Sequence, residues 1–241
     1  MPAGALERAV QLLGSLSDRT SELTVAELAS DAGMPTSTAY RLLAELEQHG
    51  FVQRGPDRTV ALGTRLVALG RSAEAGLGER IVGPAGPVMI ALSAAVGETV
   101  ILTAPCALEA IVLHVVETEL HSVRLSYARF RRGPLDRGAS AKVLAAFLED
   151  AERERLLLAA GDDAPSRASA LAQIRRDGYA FTVSELDPGA AAVAAPILDR
   201  RGRLVAGLSI AGPEERITRD VPAITAAVRE AAGTIERAQS A

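Results

Sequence analysis

The chain of 241 residues has one cysteine, Cys106, no tryptophan, three tyrosines and four phenylalanines, and among its 26 basic residues a single lysine, Lys142. One cysteine excludes an intrachain disulfide and any site built from several thiolates, and fits a reducing compartment. With aromatics at 3%, the cores must be filled by Leu, Val, Ile and Ala, and base-stacking platforms are excluded. Thirty acids leave a net charge of -4, so the chain is no polybasic coat for nucleic acid or membrane, and any such surface must be local. The start, MPAGALERAVQLLGSL, lacks the form of a signal peptide, and no uninterrupted apolar run approaches ~18 residues; this predicts a cytoplasmic protein without a membrane partner. The GxSxG, Walker, HExxH and GxGxxG patterns are missing, which removes the strongest catalytic and nucleotide signatures. No cofactor or metal is expected.

What is present is patterned. Hydrophobic residues make up 48% of the chain, enough for one or two globular domains. Leu6, Ala9, Val10, Leu13 and Leu16 recur at helical spacing and predict an amphipathic first helix with that stripe turned inward. Thr24 and Glu27 form a capping-box pair that opens a short helix over 25–31, ended by Gly33. After Met34-Pro35, Thr36 is placed as the cap of a third helix that runs to about His49 and leaves through Gly50. Residues 51–54 and 59–62 flank Gly55-Pro56-Asp57-Arg58 and read as a hairpin.

In the third helix Ala39, Leu42, Leu43 and Leu46 must face inward, which turns Ser37, Tyr40, Arg41 and Ala44 outward as a narrow polar stripe. Ala29 and Ala39 allow two helices to cross closely, and Gly33 between them permits a sharp turn with positive φ. This spacing is that of a helix-turn-helix, and the hairpin after it makes a wing. Candidate DNA contacts are Thr36, Ser37, Thr38, Tyr40 and Arg41 on the helix, with Arg54 and Arg58 from the wing set towards phosphates. Residues 1–62 hold five arginines and eight acids, a balance of -3, so binding by one copy would be weak and dimerisation is expected.

Thr64 to about Ala75 reads as a linker helix with Leu66, Val67 and Leu69 exposed for a partner, ending at the glycines of Gly76-Leu77-Gly78. Beyond Arg80 the pattern becomes a helix through 88–95, strands at 99–104 and 110–116 joined by a loop at 105–109, and a possible strand at 123–127. Helices near 139–147, 150–159 and 166–177 follow, then strands at 180–184, 191–198 and 204–211, and a final helix from Asp220. Hairpins with segregated helices predict an α+β fold with a mainly antiparallel sheet. The domains are 1–62, a linker helix at 63–79, and 80–241.

The order of these parts resembles the IclR family of bacterial transcriptional regulators over nearly the whole chain. The likeness is carried by ERAVQLLGSL, LTVAELASDAGMPTSTAYRLLAELEQHGFV, ALGTRLVALG, GETV, GPLDRGASAKVLAAFL, RRDGYAF and DPGAAAVAAPILDRRGRLVAGLSIAGP. The resemblance implies a winged helix-turn-helix, a dimerising linker helix and a GAF-like effector domain. It also implies a homodimer or dimer of dimers that binds a double-stranded operator under control of a small-molecule effector.

The departures bear on the effector. Thr182 and Val183 stand where relatives often carry an acid, Ala191-Ala192 where many carry Arg-Cys, and Ser209 is kept while Ala211 replaces a second serine. The site implied by the resemblance is Leu135, Ala139, Ser140, Thr182, Val183, Ala192 and Ser209, largely apolar with a few hydroxyls and no charge. It predicts an apolar or aromatic effector with at most one acidic group.

The rival reading is an enzyme or sensor on the C-terminal domain, with the N-terminal unit serving oligomerisation. Ser140 and Lys142 are two apart and would point to different helix faces, so they do not form a nucleophile and base pair. His114, His121 and Cys106 stand apart from any ligand cluster in sequence, and no catalytic residue is assigned.

Overall fold

The computed structural model describes residues 4–17 and 23–239. Arg19, one of the five arginines counted above, lies outside them. The chain divides into two compact units, Met1–Gly76 and Leu77–Ala241, each described here by itself.

In the first unit α1 (Ala5–Ser17), α2 (Val25–Asp31) and α3 (Thr36–Gln48) pack on a three-stranded antiparallel sheet of β1 (Leu23–Thr24), β3 (Thr59–Leu62) and β2 (Val52–Arg54), in that order. Thr24 and Glu27 close the expected capping box: the Glu27 carboxylate accepts from Thr24 N at 2.8 Å, and Glu27 N donates to Thr24 Oγ1 at 3.3 Å. Gly33 has φ +60°, and Met34 N reaches back to Ala29 O at 3.0 Å, so the turn after α2 is closed by a left-handed residue. Ala29 and Ala39 are buried, with Leu12, Leu28, Leu42, Leu43 and Val60 around them. Two expectations are corrected. Leu6 and Val10 are exposed, because the buried face of α1 runs through Leu12 and Leu16, keeping Leu16 of the expected stripe and turning its other side outward. Thr36 is the first helical residue rather than the cap, since Pro35 holds that position and its carbonyl accepts from Thr38 N and Ala39 N. The linker element α4 (Arg65–Leu77) buries none of its residues within the chain.

The second unit is a six-stranded antiparallel sheet in the order β6-β5-β4-β9-β8-β7, built from β4 (Thr99–Cys106), β5 (Glu109–Val116), β6 (Arg132–Pro134), β7 (Ala180–Val183), β8 (Ala190–Leu198) and β9 (Leu204–Pro213). Alternation along the strands sorts residues to two faces. Val100, Leu102, Val193, Ile197, Leu208 and Ile210 join α5 (Gly83–Val96) and α10 (Val221–Ala238) through Met89, Val228 and Ile235. The opposite face meets α6 (Ala139–Phe147), whose Ala139 and Val143 pack on Ala180 and Ala194. Behind α6 stand α7 (Asp150–Leu158) and α8 (Ala164–Asp177), sealed by Leu144, Leu156 and Leu171. Short α9 (Glu214–Ile217) links β9 to α10 and lets Arg216 pair with the buried Glu98 carboxylate.

Sequence and structure differ at two places here. No strand forms at 123–127, which Thr99 Oγ1 instead fastens by donating to Leu125 O at 2.7 Å; the sheet edge is β6. The β4–β5 hairpin is tighter than the loop expected at 105–109, pairing through Cys106 and Glu109 with Ala107 at φ +54°. An 18-residue window within Arg65–Val96 reaches a mean hydropathy of 1.2, so by composition it is long and apolar enough for a membrane span. It holds Pro84 and Pro87, and its α5 portion buries Ala85, Met89 and Leu92 in the core beneath the sheet.

Candidate DNA face and effector cavity

On the first unit α3 presents Thr36, Ser37, Tyr40 and Arg41 to solvent, with Thr38 half-buried beside them. Their exposure follows from the 3.6-residue period, because Ala39, Leu42 and Leu43 occupy the inward face. Arg41 is held along the helix by Glu45 at 2.9 Å, an exposed pair that costs little to open. Arg54 leaves β2 towards α3: it pairs with Glu47 at 3.2 Å and its guanidinium lies 5.9 Å from the centre of the Tyr40 ring. The wing therefore reaches the helix through Arg54, a contact that pattern reading did not anticipate. Arg58 sits exposed at the wing tip in a left-handed conformation (φ +61°), next to Asp57 (φ +57°).

In the second unit a cavity of about 210 Å³ opens between the amino-terminal end of α6 and the sheet. Ile101, Val112, Leu125, Ala192 and Ala211 give it apolar walls, and Thr103, Ser140, Thr182 and Ser209 supply hydroxyls. Ser140 Oγ donates to Ser209 Oγ at 2.8 Å, and Ser209 Oγ donates in turn to Ile101 O at 3.4 Å. Thr182 is 6% exposed, and its hydroxyl meets no hydrogen-bond partner among the described residues. Gly138, at φ +80°, caps α6. The first helical bond is Lys142 N to Gly138 O at 3.0 Å, which leaves the amides of Ala139, Ser140 and Ala141 without helical acceptors.

The structure brings Ala139, Ser140, Thr182, Ala192 and Ser209 to this cavity and places Leu135 and Val183 elsewhere. Val183 is next to Thr182 on a strand, so it turns to the other face and packs with the core beneath α5 and α10. Leu135 is 2% exposed and seals the cluster with Leu144 behind α6. The expectation of an uncharged lining is also corrected: Arg131, Arg132, Arg137, Glu185 and Asp187 line the mouth. They come from β6 and the residue before it, the turn before α6 and the loop after β7, and only the fold gathers them. Arg132 pairs with Glu109 at 3.1 Å, and Glu185 with Lys142 at 2.5 Å. Tyr127 Oη donates to Asp187 at 3.3 Å, while the Arg131 guanidinium lies 5.9 Å from the Tyr127 ring centre. Burial first, and then the neighbouring Asp187 carboxylate, push the Tyr127 phenol up to about 12, so it remains a neutral donor. Among the described residues no group of three or more His, Cys, Asp or Glu is placed to hold a metal.

A winged helix-turn-helix and a separate sheet domain with a ligand-sized cavity define a regulator that reads DNA with one unit and senses a small molecule with the other. The comparisons with known proteins give the same class. The model of the IclR helix-turn-helix domain matches residues 5–56, and that of the bacterial transcriptional regulator IclR C-terminal domain matches residues 78–237. The chain belongs to the IclR family of transcriptional regulators, with a DNA-binding N-terminal domain and an effector-binding C-terminal domain.

It is 35% identical over 225 residues to the HTH-type transcriptional regulator KipR of Bacillus subtilis (strain 168), covering 89% of either chain. An IclR transcriptional regulator from Silicibacter sp. TM1040 shares the fold with a TM-score of 0.83 at 24% identity, over 99% of this chain and 97% of that one. An IclR homologue from Microbacterium hydrocarbonoxydans, solved with 4-hydroxybenzoate, matches with a TM-score of 0.70 at 26% identity, over 98% and 99% of the two chains.

Proposed function

We propose that α3 enters the major groove of a double-stranded operator, with Arg41, Tyr40, Ser37, Thr36 and Thr38 at bases and backbone and with Arg54 and Arg58 at phosphates. The observation that carries this reading is the exposed polar stripe of α3 flanked by the wing. The protein acts in the cytoplasm as a homodimer or dimer of dimers and performs no catalysis. Exposed Leu6 and Val10 on α1 and Val67 and Leu69 on α4 support a second copy as their cover. A symmetric pair reads two half-sites and offsets the acidic balance of one unit.

The cavity holds the effector, an apolar or aromatic body with one carboxylate. Its walls favour the body, and the amides at the start of α6 together with Arg131 and Arg137 favour the acid. The relative solved with 4-hydroxybenzoate points to the same chemistry. Gel retardation of the DNA upstream of the protein's own gene tests the reading, repeated with a panel of aromatic and aliphatic monocarboxylates. Retardation that one of them relieves or strengthens is expected. Retention of no fragment, together with turnover of a panel compound by the full chain, overturns it in favour of an enzyme.

A further inference from the structure

The loop between β7 and β8, Ser184 to Gly189, crosses the mouth of the cavity and contributes Glu185, Leu186 and Asp187 to its lining. Its base is closed by Ser184 N donating to Ala190 O at 2.7 Å and Gly189 N donating to Ser184 Oγ at 2.9 Å. Its flanks have positive φ, +53° at Ser184 and +76° at Gly189. Between these ends the loop is tied at two sides of the mouth. On the α6 side Glu185 Oε2 accepts from Gly138 N at 3.1 Å, and Oε1 meets Lys142 Nζ. On the other side Asp187 accepts from Tyr127 Oη. Both ties use acids, and the first spends the Glu185 carboxylate on the positive end of α6.

Beneath the loop Thr182, a residue 6% exposed, opens its hydroxyl, without a partner among the described residues, onto the same cavity. A hydroxyl so placed can donate to or accept from a ligand in the cavity.

We propose that residues 184–189 form a strap over the cavity, closed by two acidic ties that open together, and that the Glu185 carboxylate keeps the place at the start of α6 which an anionic effector takes over. This rests on the cavity being the effector site. When the strap opens, Gly138 N and Lys142 exchange Glu185 for the effector's carboxylate, so Lys142 stays paired and the released Glu185 carboxylate turns to solvent. A neutral analogue of the same shape gains nothing from that exchange.

Lys142 is the chain's single lysine, so its acetylation by an N-hydroxysuccinimide ester, read by peptide mass spectrometry apart from that of the N-terminal amine, reports on the strap in the full chain without any ligand. Asp187 makes its tie to Tyr127, away from α6. Even so, Asp187→Ala and Tyr127→Phe, each of which removes that tie, are expected to speed Lys142 acetylation by at least about threefold, as Glu185→Gln does, because both ties belong to one opening unit. Acceleration by Glu185→Gln alone overturns the strap and leaves a local ion pair.

Calorimetric titration with 4-hydroxybenzoate and 4-hydroxybenzamide tests the exchange. Glu185→Gln is expected to tighten binding of the carboxylate by about tenfold, since a competing like charge is gone, and to leave the amide within about twofold. Equal change for both compounds, or binding of neither to either protein, overturns the exchange. Failure of operator control in the gel assay removes the effector reading while the acetylation result still decides the strap.

Discussion

Arg41 and Arg58 are both exposed arginines of the first unit, yet their settings assign them different work. Arg41 stands mid-stripe on α3, so Arg41→Ala should cost about 1–3 kcal/mol of operator binding and relax preference at one base position. Arg58 is at the wing tip, and Arg58→Ala should weaken all sequences evenly and lower the salt slope by about one. Fluorescence anisotropy on an operator series at several salt concentrations separates the two; wild-type affinity in both variants would refute the docking. His114 belongs to the same scale. Burial, and then the positive charge of Arg129, hold its imidazole below 6.5, and its Nδ1 is buried without a hydrogen-bond partner among the described residues. The unfolded chain takes a proton at about pH 6.5 that the folded chain refuses, so stability falls as pH drops from there towards the folded value and is unaffected by this group above it. Urea unfolding at about pH 7.5 and about pH 5.5 should show a smaller loss on acidification in His114→Leu than in wild type. An unchanged loss would place the coupling elsewhere.

At the scale of elements, the α2–α3 turn depends on Gly33, whose φ is +60° and around which an added Cβ would meet nothing within 4 Å. Gly33→Ala should therefore cost only the left-handed backbone penalty, about 1–2 kcal/mol of stability in thermal unfolding, and leave the surface of α3 intact. A neutral substitution would mean that the turn relaxes. Strand β8 offers the converse case, a small residue beside empty space. Ala192 lines the cavity, so Ala192→Phe should fill it, leave operator affinity unchanged and abolish the response to every compound that alters DNA binding in the wild type. A retained response, read by gel retardation, would move the effector out of this cavity.

The proposed reading brings two copies to one operator, and it assigns their contact to α4, where Val67 is 58% and Leu69 47% exposed. Replacing Leu66 and Leu69 together by glutamate puts two charges on that helix. Sedimentation should then show monomers, and operator binding should weaken because the acidic balance of a single unit is no longer offset by a partner's contacts. An intact dimer would locate the interface elsewhere.

Local patterns announced most of the elements. The Thr24–Glu27 capping box, the Ala29, Gly33 and Ala39 spacing and the apolar runs of β8 and β9 were legible because each depends on residues within a turn or a strand of one another. The face of a helix was less secure: α1 has apolar residues on more than one side, and only packing chose Leu12 and Leu16 over Leu6 and Val10. For the cavity, the sequence and its family likeness determined the small side chains Ala139, Ser140, Thr182, Ala192 and Ser209 that leave the space open. Only the tertiary structure decided what rings it. Tyr127 and Asp187 are sixty residues apart in the chain, and Gly138 and Glu185 forty-seven, so their contacts follow from strand order rather than from any local period. The charge at the mouth was invisible in the linear pattern for the same reason: β6 at one edge of the sheet and the loop after β7 at the other meet at the cavity only once the sheet has formed.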